Sequence, residues 1–133
     1  MRILALDVGK RRIGIAVSDP LGITARPHST ILRNREAHKT IAALTRELEA
    51  GKILIGLPLH LSGVEGEQAR DARTFGKELE ALVYPLPVEY HDERLTTVEA
   101  KELLNSGRKK AKSKEEIDAV AAALILQTYL REK

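Results

Sequence analysis

The alternation of hydrophobic and polar positions switches repeatedly between two periods along the chain. Residues 2–8 form a short apolar run suited to a buried strand. Ile13-Gly-Ile-Ala-Val17 puts large side chains on one face and small ones on the other, which reads as a second strand. Only Gly9-Lys-Arg-Arg12 separates the two, so they must pair as an antiparallel hairpin. Asp19-Pro-Leu-Gly22 has Pro second and Gly fourth, a turn signal, and a third strand follows over roughly 23–32.

The period then becomes helical. Asn34 is a candidate N-cap, Ala37, Ile41, Leu44 and Leu48 recur at helical spacing, and Gly51 is expected to stop the helix. Residues 52–57 read as a buried strand ended by Pro58. A helix over 67–82 turns Ala69, Ala72, Phe75, Leu79 and Leu82 inward, and Val88-Glu-Tyr-His91 makes a fifth strand. Thr96-Thr-Val-Glu99 and Ser113-Lys-Glu-Glu116 are capping boxes, the first predicting a helix over about 97–105 and the second opening the last helix, to about 131. The order βββ, αβ, αβ, αα gives an α/β chain. Three antiparallel strands are extended by two parallel crossovers into a mixed five-stranded sheet flanked by helices.

Composition narrows the function classes. The 133 residues suit one domain, 1–133, with a core of its own. Aromatics are only 3%, so the core is aliphatic and binding by several base-stacking rings is not expected. Without cysteine there are no disulfides or thiolate metal sites, in keeping with a reducing compartment. The apolar start is interrupted by Asp7, too early for a signal peptide, and no run of about 20 apolar residues spans a membrane. A cytoplasmic protein with no membrane partner is expected. Net charge is +3, but residues 105–114 alone carry five positive charges, leaving 3 − 5 = −2 elsewhere. Arg108, Lys109, Lys110 and Lys112 thus form either a local contact for a polyanion or a solvated basic loop.

Three acidic positions interrupt apolar or strand-end sequence. Asp7 ends a buried strand and enters a Gly turn beside Lys10, Arg11 and Arg12, either as an Asx-turn residue or as a metal ligand facing a phosphate. Asp118 is the only charge in Ile117-Asp-Ala-Val-Ala-Ala-Ala-Leu-Ile-Leu126. A buried carboxylate there must be ion-paired (with Arg94 or a lysine), hydrogen-bonded or metal-bound. His91-Asp-Glu-Arg94 closes the fifth strand, as a polar turn or as part of a site in which Arg94 binds phosphate. Two strand ends and one helix start can converge at one sheet edge. Three carboxylates there would hold one or two Mg²⁺ or Mn²⁺ ions for phosphoryl transfer. Arg70, Arg73 and Lys77 form a polar stripe that reads as surface first and substrate-binding second. The Gly56–Gly63 loop could present backbone N–H groups to a phosphate, or be a plain connection.

Asp7-Val-Gly-Lys-Arg-Arg-Ile-Gly-Ile-Ala-Val-Ser-Asp19, Gly56-Leu-Pro-Leu, His91-Asp-Glu-Arg-Leu-Thr-Thr-Val-Glu-Ala100 and Asp118-Ala-Val-Ala-Ala closely resemble the bacterial YqgF/RuvX family, in order from residue 2 to about 131. The first motif alone is shared with actin-like ATPases and sugar kinases, but 133 residues do not supply their two-domain cleft. The resemblance implies an RNase H-like fold with sheet order 3-2-1-4-5, related to the RuvC junction resolvases. It implies a metal-dependent nuclease acting on the 5′ end of pre-16S rRNA, free or in ribosomal precursor particles, or on branched DNA as a Holliday junction resolvase. A junction resolvase would work as a homodimer; otherwise a monomer suffices. A non-catalytic nucleic-acid-binding domain is the remaining alternative. By motif, the acidic site falls on Asp7, Glu93 and Asp118, with Asp92 as a neighbouring ligand. The wider fold places an acid at the end of strand four, where this chain reads Leu57-Pro58. Strand five lies roughly 10 Å from strand one at about 4.8 Å per strand, which favours the longer Glu93 over Asp92.

Overall fold

The computed structural model describes residues 1–95 and 114–132. The helix expected over 97–105 and the basic residues Arg108, Lys109, Lys110 and Lys112 lie outside the described residues. Five strands form one sheet: β1 (Arg2–Val8), β2 (Arg12–Ser18), β3 (Ala25–Leu32), β4 (Ala50–Leu57) and β5 (Val88–Asp92). Its order is β3-β2-β1-β4-β5. β1 and β2, and β2 and β3, pair antiparallel, whereas β4 pairs parallel to β1 and β5 parallel to β4. Helix α1 (Ala37–Glu47) links β3 to β4 and α2 (Glu67–Val83) links β4 to β5. A 3-10 turn (Glu93–Leu95) follows β5, and α3 (Lys114–Arg131) is the last element. Both crossovers and the antiparallel opening are as the sequence pattern predicts.

Alternation along β1 and β2 assigns the two faces. Leu4, Leu6, Ile13, Ile15 and Val17 pack with Ile41, Phe75 and Leu79 beneath α1 and α2. Ile3, Ala5 and Ala16 face the other way, against Ala122, Ala123, Ile125 and Leu126 of α3. Small residues on the second face let an alanine-rich helix lie close to the sheet. At Gly14 the approach is closest: a side-chain carbon there would overlap the backbone carbonyl of Asp118. Covering both faces explains why β1 and β4 are nearly continuous apolar runs.

Element boundaries differ from the linear reading at three places, each for a local reason. β3 starts at Ala25 because the Asp19 carboxylate accepts backbone N–H bonds from Leu21, Ile23 and Thr24, which extends the turn past Gly22. Asn34 caps a preceding turn, accepting from the Glu36 N–H, and α1 begins only at Ala37. The same helix ends at Glu47, and the left-handed residue is Glu49 (φ 52°), so Gly51 already lies in β4 and does not stop the helix. Leu82 is 50% exposed rather than inward, since α2 is ending as it passes the sheet edge. Among the described residues no helix is long and apolar enough to cross a membrane.

Candidate active site

Asp7 is the next-to-last residue of β1, opposite Gly14 of β2. Ile3 and Ala5 face α3, so Asp7, at the same parity, points to the α3 side. Glu93 follows β5 directly and is the first residue of the 3-10 turn. Asp118 lies in the second turn of α3. Two strand ends and a helix start therefore meet at one edge of the sheet.

Burial and mutual charge shift two of these acids. Burial raises the Asp7 carboxyl from 3.8 to about 6, and the charge of Asp118 adds to the rise. Burial likewise raises Glu93 from 4.5 to about 7, reinforced by the charges of Asp7 and then Asp92. Each shift marks a carboxylate that is short of water and faces another carboxylate. Among the described residues no basic side chain pairs with Asp7 or Glu93.

The other two acids are paired. Asp118 accepts from Arg12 Nε at 2.7 Å. One partner expected for it, Arg94, is instead clamped on Asp92, and the other, a lysine, gives way to an arginine. The Arg94 guanidinium donates to the Asp92 carboxylate, Nη2 to Oδ2 at 2.7 Å, and the Arg94 backbone N–H donates to Oδ1 at 2.9 Å. The guanidinium bond, helped by the backbone one, holds the Asp92 carboxyl below its usual range. Arg94 Nη1 also donates to the Leu61 carbonyl at 3.1 Å, tying the β4–α2 loop to the end of β5. Among the described residues no three Asp, Glu or His side chains surround a single point, because Asp118 is turned toward Arg12. His91 is buried, meets the Tyr129 ring edge-on at 5.9 Å, and has no hydrogen-bond partner for Nε2 among the described residues.

Asp7 and Glu93 open into a cleft of about 850 Å³ also lined by Lys10, Arg33, Arg70 and Asp71. Asp118 lines a smaller cavity of about 380 Å³ with Lys10, Arg11 and Arg12. Lys10 borders both. The α2 wall of the cleft carries residues that no linear motif marks. Arg33 holds Asp71 bidentately, at 2.7 and 2.9 Å, and donates to the Gly9 carbonyl at 3.0 Å, which fixes α2 against the hairpin. The only linear hint was the polar stripe of α2 containing Arg70; the pairing of residues 33 and 71 has none.

An antiparallel β1–β3 unit continued by two parallel strands, in the order β3-β2-β1-β4-β5, is an RNase H-like fold. A solved Thermus thermophilus RuvC in complex with a Holliday junction substrate superposes with TM-score 0.65 and 14% identity, over 99% of this chain and 96% of that one. The fowlpox virus Holliday junction resolvase does so with TM-score 0.57 and 12% identity, over the full length of both. At such identities the likeness concerns the fold. Sequence specifies the family: the model of RuvX, described as Holliday junction resolvase, matches residues 1–132, and the chain belongs to that family. Relatives named "Putative pre-16S rRNA nuclease" include one from Lactococcus lactis subsp. cremoris (strain SK11), 45% identical over 97% of this chain and 93% of its own. Another from Sulfurihydrogenibium sp. is 47% identical over 97% of this chain and 89% of its own.

Proposed function

We propose that this chain is a divalent-metal-dependent nuclease that hydrolyses phosphodiester bonds in structured nucleic acid, and that it matures the 5′ end of pre-16S rRNA in the cytoplasm. The observation that carries the reading is the pair Asp7 and Glu93: two half-buried carboxylates, both raised toward neutrality, side by side in a cleft bordered by Lys10 and Arg70. Mutual repulsion of that kind persists where a ligand relieves it, and an all-oxygen donor set suits a hard cation such as Mg²⁺ or Mn²⁺. The donor set therefore fits the ion, with Asp7 and Glu93 as its first ligands and Asp118 as the third.

When bound, one or two such ions would neutralise charge on the phosphate and acidify the attacking water. The protein's own groups do the rest. Lys10 and Arg70 border the cleft and hold the phosphodiester by charge. The new bond joins the water oxygen to phosphorus, the bond to the leaving oxygen breaks, and that oxygen takes up a proton. Arg12 exchanges the Asp118 carboxylate for a substrate phosphate, which frees Asp118 for the ion. Asp92 stays on Arg94, so the middle ligand is Glu93. Arg11, Arg108, Lys109, Lys110 and Lys112 are the remaining candidates for backbone contacts.

The rRNA substrate follows the names of relatives at about 45% identity. The family description favours a second reading, cleavage of branched DNA by a homodimer making two symmetric cuts. Incubation with a pre-16S 5′ leader and with a four-way DNA junction, in Mg²⁺ or Mn²⁺, decides between them. Cleavage of the leader, lost with EDTA and in Asp7→Asn, is the expected result. Preferential cutting of the junction would transfer the assignment to recombination. Binding without cleavage under every condition would leave a non-catalytic nucleic-acid-binding domain.

A further inference from the structure

We infer that Gly56 is a positioning residue for the nuclease site: its missing side chain is the gap through which Glu93 crosses β4 to reach Asp7. The inference rests on the nuclease reading above and adds to it a requirement at a position that contacts neither ion nor substrate.

The geometry is that of the sheet. β1 and β5 are not neighbours, because β4 lies between them. An acid leaving the end of β5 must pass over one residue of β4 to meet an acid on β1. Gly56 occupies that place, paired with His91 and next after Ile55, which pairs with Leu6. Its parity puts it on the α3 side, like Leu54 and unlike Ile53 and Ile55. A Cβ built there would stand 3.2 Å from the Glu93 carboxyl carbon, 3.3 Å from its Cγ and 2.6 Å from Ile125 Cδ1. Two groups thus use the space: the Glu93 side chain and the tip of Ile125. Backbone conformation does not demand glycine, since Gly56 lies inside a regular strand and is not among the residues with positive φ. A mid-strand glycine weakens the strand, so its presence calls for a close neighbour. Here the neighbours are the tip of Ile125, which is nearer, and the Glu93 acid.

Two contacts can be separated by mutation. Ile125→Val removes the methyl that a Cβ at residue 56 would strike, so Gly56→Ala/Ile125→Val tests the Glu93 contact against the Ile125→Val control. Mn²⁺ binding is followed by calorimetry, and leader or junction cleavage by single-turnover and steady-state kinetics. The expected result is a control like wild type and a double variant with Mn²⁺ affinity and kcat each lowered about 10–100-fold, the usual scale when an ion's supporting residue is changed. KM for nucleic acid is expected to stay at the control value, because the substrate-facing cations are untouched. A double variant equal to the control in both Mn²⁺ affinity and kcat overturns the role of Gly56 while leaving the nuclease reading in place. Wild type that neither binds Mn²⁺ nor cleaves overturns both. A thermal-unfolding cycle gives a readout that does not depend on turnover: Gly56→Ala is expected to lower Tm less in a Glu93→Ala background than in wild type. Equal losses in the two backgrounds would show that the glycine serves Ile125 alone and overturn the inference.

Discussion

Asp7 and Glu93 are held as acids that the protein prefers to keep protonated, and this has a measurable sign. Each has a folded-state value above its ordinary one, about 6 against 3.8 and about 7 against 4.5. Between those limits the folded chain binds more protons than the unfolded chain, so stability falls as pH rises. The favourable contribution is complete below about pH 4 and is lost as pH passes through about 6 to 7. Ion-free protein is therefore expected to melt at a lower temperature at pH 7.5 than at pH 5, as far as these two groups are concerned. Asp7→Asn removes part of that loss and should stabilise the ion-free protein at pH 7.5 by about 1–3 kcal/mol while abolishing cleavage. Denaturant titrations at the two pH values check it; an Asp7→Asn protein less stable than wild type at pH 7.5 would contradict the electrostatic account. Arg12 gives the second residue-scale test. Its bond to Asp118 competes with any cation for the same carboxylate. Arg12→Ala should bind Mn²⁺ more tightly in the absence of nucleic acid, seen by calorimetry, yet bind nucleic acid more weakly. A drop in Mn²⁺ affinity would mean that Arg12 orients Asp118 instead of occupying it.

At the scale of elements, the site depends on how closely α3 lies on β2 and how the β4–α2 loop is tied down. Gly14 lets the backbone of α3 come within reach of the sheet. Alanine there has backbone to displace, not a flexible side chain, so Gly14→Ala should destabilise by about 1–3 kcal/mol or more and carry Asp118 away from Asp7. Chemical denaturation measures the first effect, and loss of Mn²⁺ affinity in protein that still folds measures the second. Arg94 has a comparable role for the loop, since it joins Asp92 to the Leu61 carbonyl. Arg94→Ala should leave global stability nearly unchanged, because exposed ion pairs contribute little, while speeding hydrogen exchange at residues 59–64. Unaltered exchange there would show that the loop is held by its own turn.

Across the whole molecule, charge is divided between the cleft and a segment remote in sequence from it. Lys10 and Arg70 line the cleft, whereas Arg108, Lys109, Lys110 and Lys112 are concentrated just before α3. Every phosphate contact steepens the salt dependence of duplex DNA binding by about 0.9 in the log–log slope. Lys10→Ala and Lys110→Ala should each flatten that slope by about one contact, with kcat at saturation falling for the cleft residue alone. Equal effects on kcat would place the basic segment at the reacting phosphate as well. Oligomeric state belongs to this scale too. Symmetric junction cutting needs two active sites, so sedimentation of the cutting-competent protein as a monomer would weigh against the recombination reading.

Much of this was settled along the chain. Periods of 2 and 3.6 residues placed five strands and the described helices, and short connections dictated which strands ran antiparallel, because a hairpin of four residues permits nothing else. Residue chemistry marked Asp7 at the end of an apolar strand and Asp118 within an apolar helix, since an isolated carboxylate there needs a partner. Which partner it takes is decided by three-dimensional neighbours. Arg12 and Asp118 are far apart in sequence and meet at 2.7 Å because β2 lies under α3. Strand spacing already favours the longer Glu93 over Asp92, and the fold adds the pairing of Asp92 with Arg94. Strand five ends with Asp92 clamped on Arg94, and the next residue passes across Gly56 toward Asp7. Local pattern encodes how each segment folds and which of its residues are out of place in water or in a core. Convergence of residues from β1, β5 and α3 is a property of strand order and helix packing, which no spacing along the chain records.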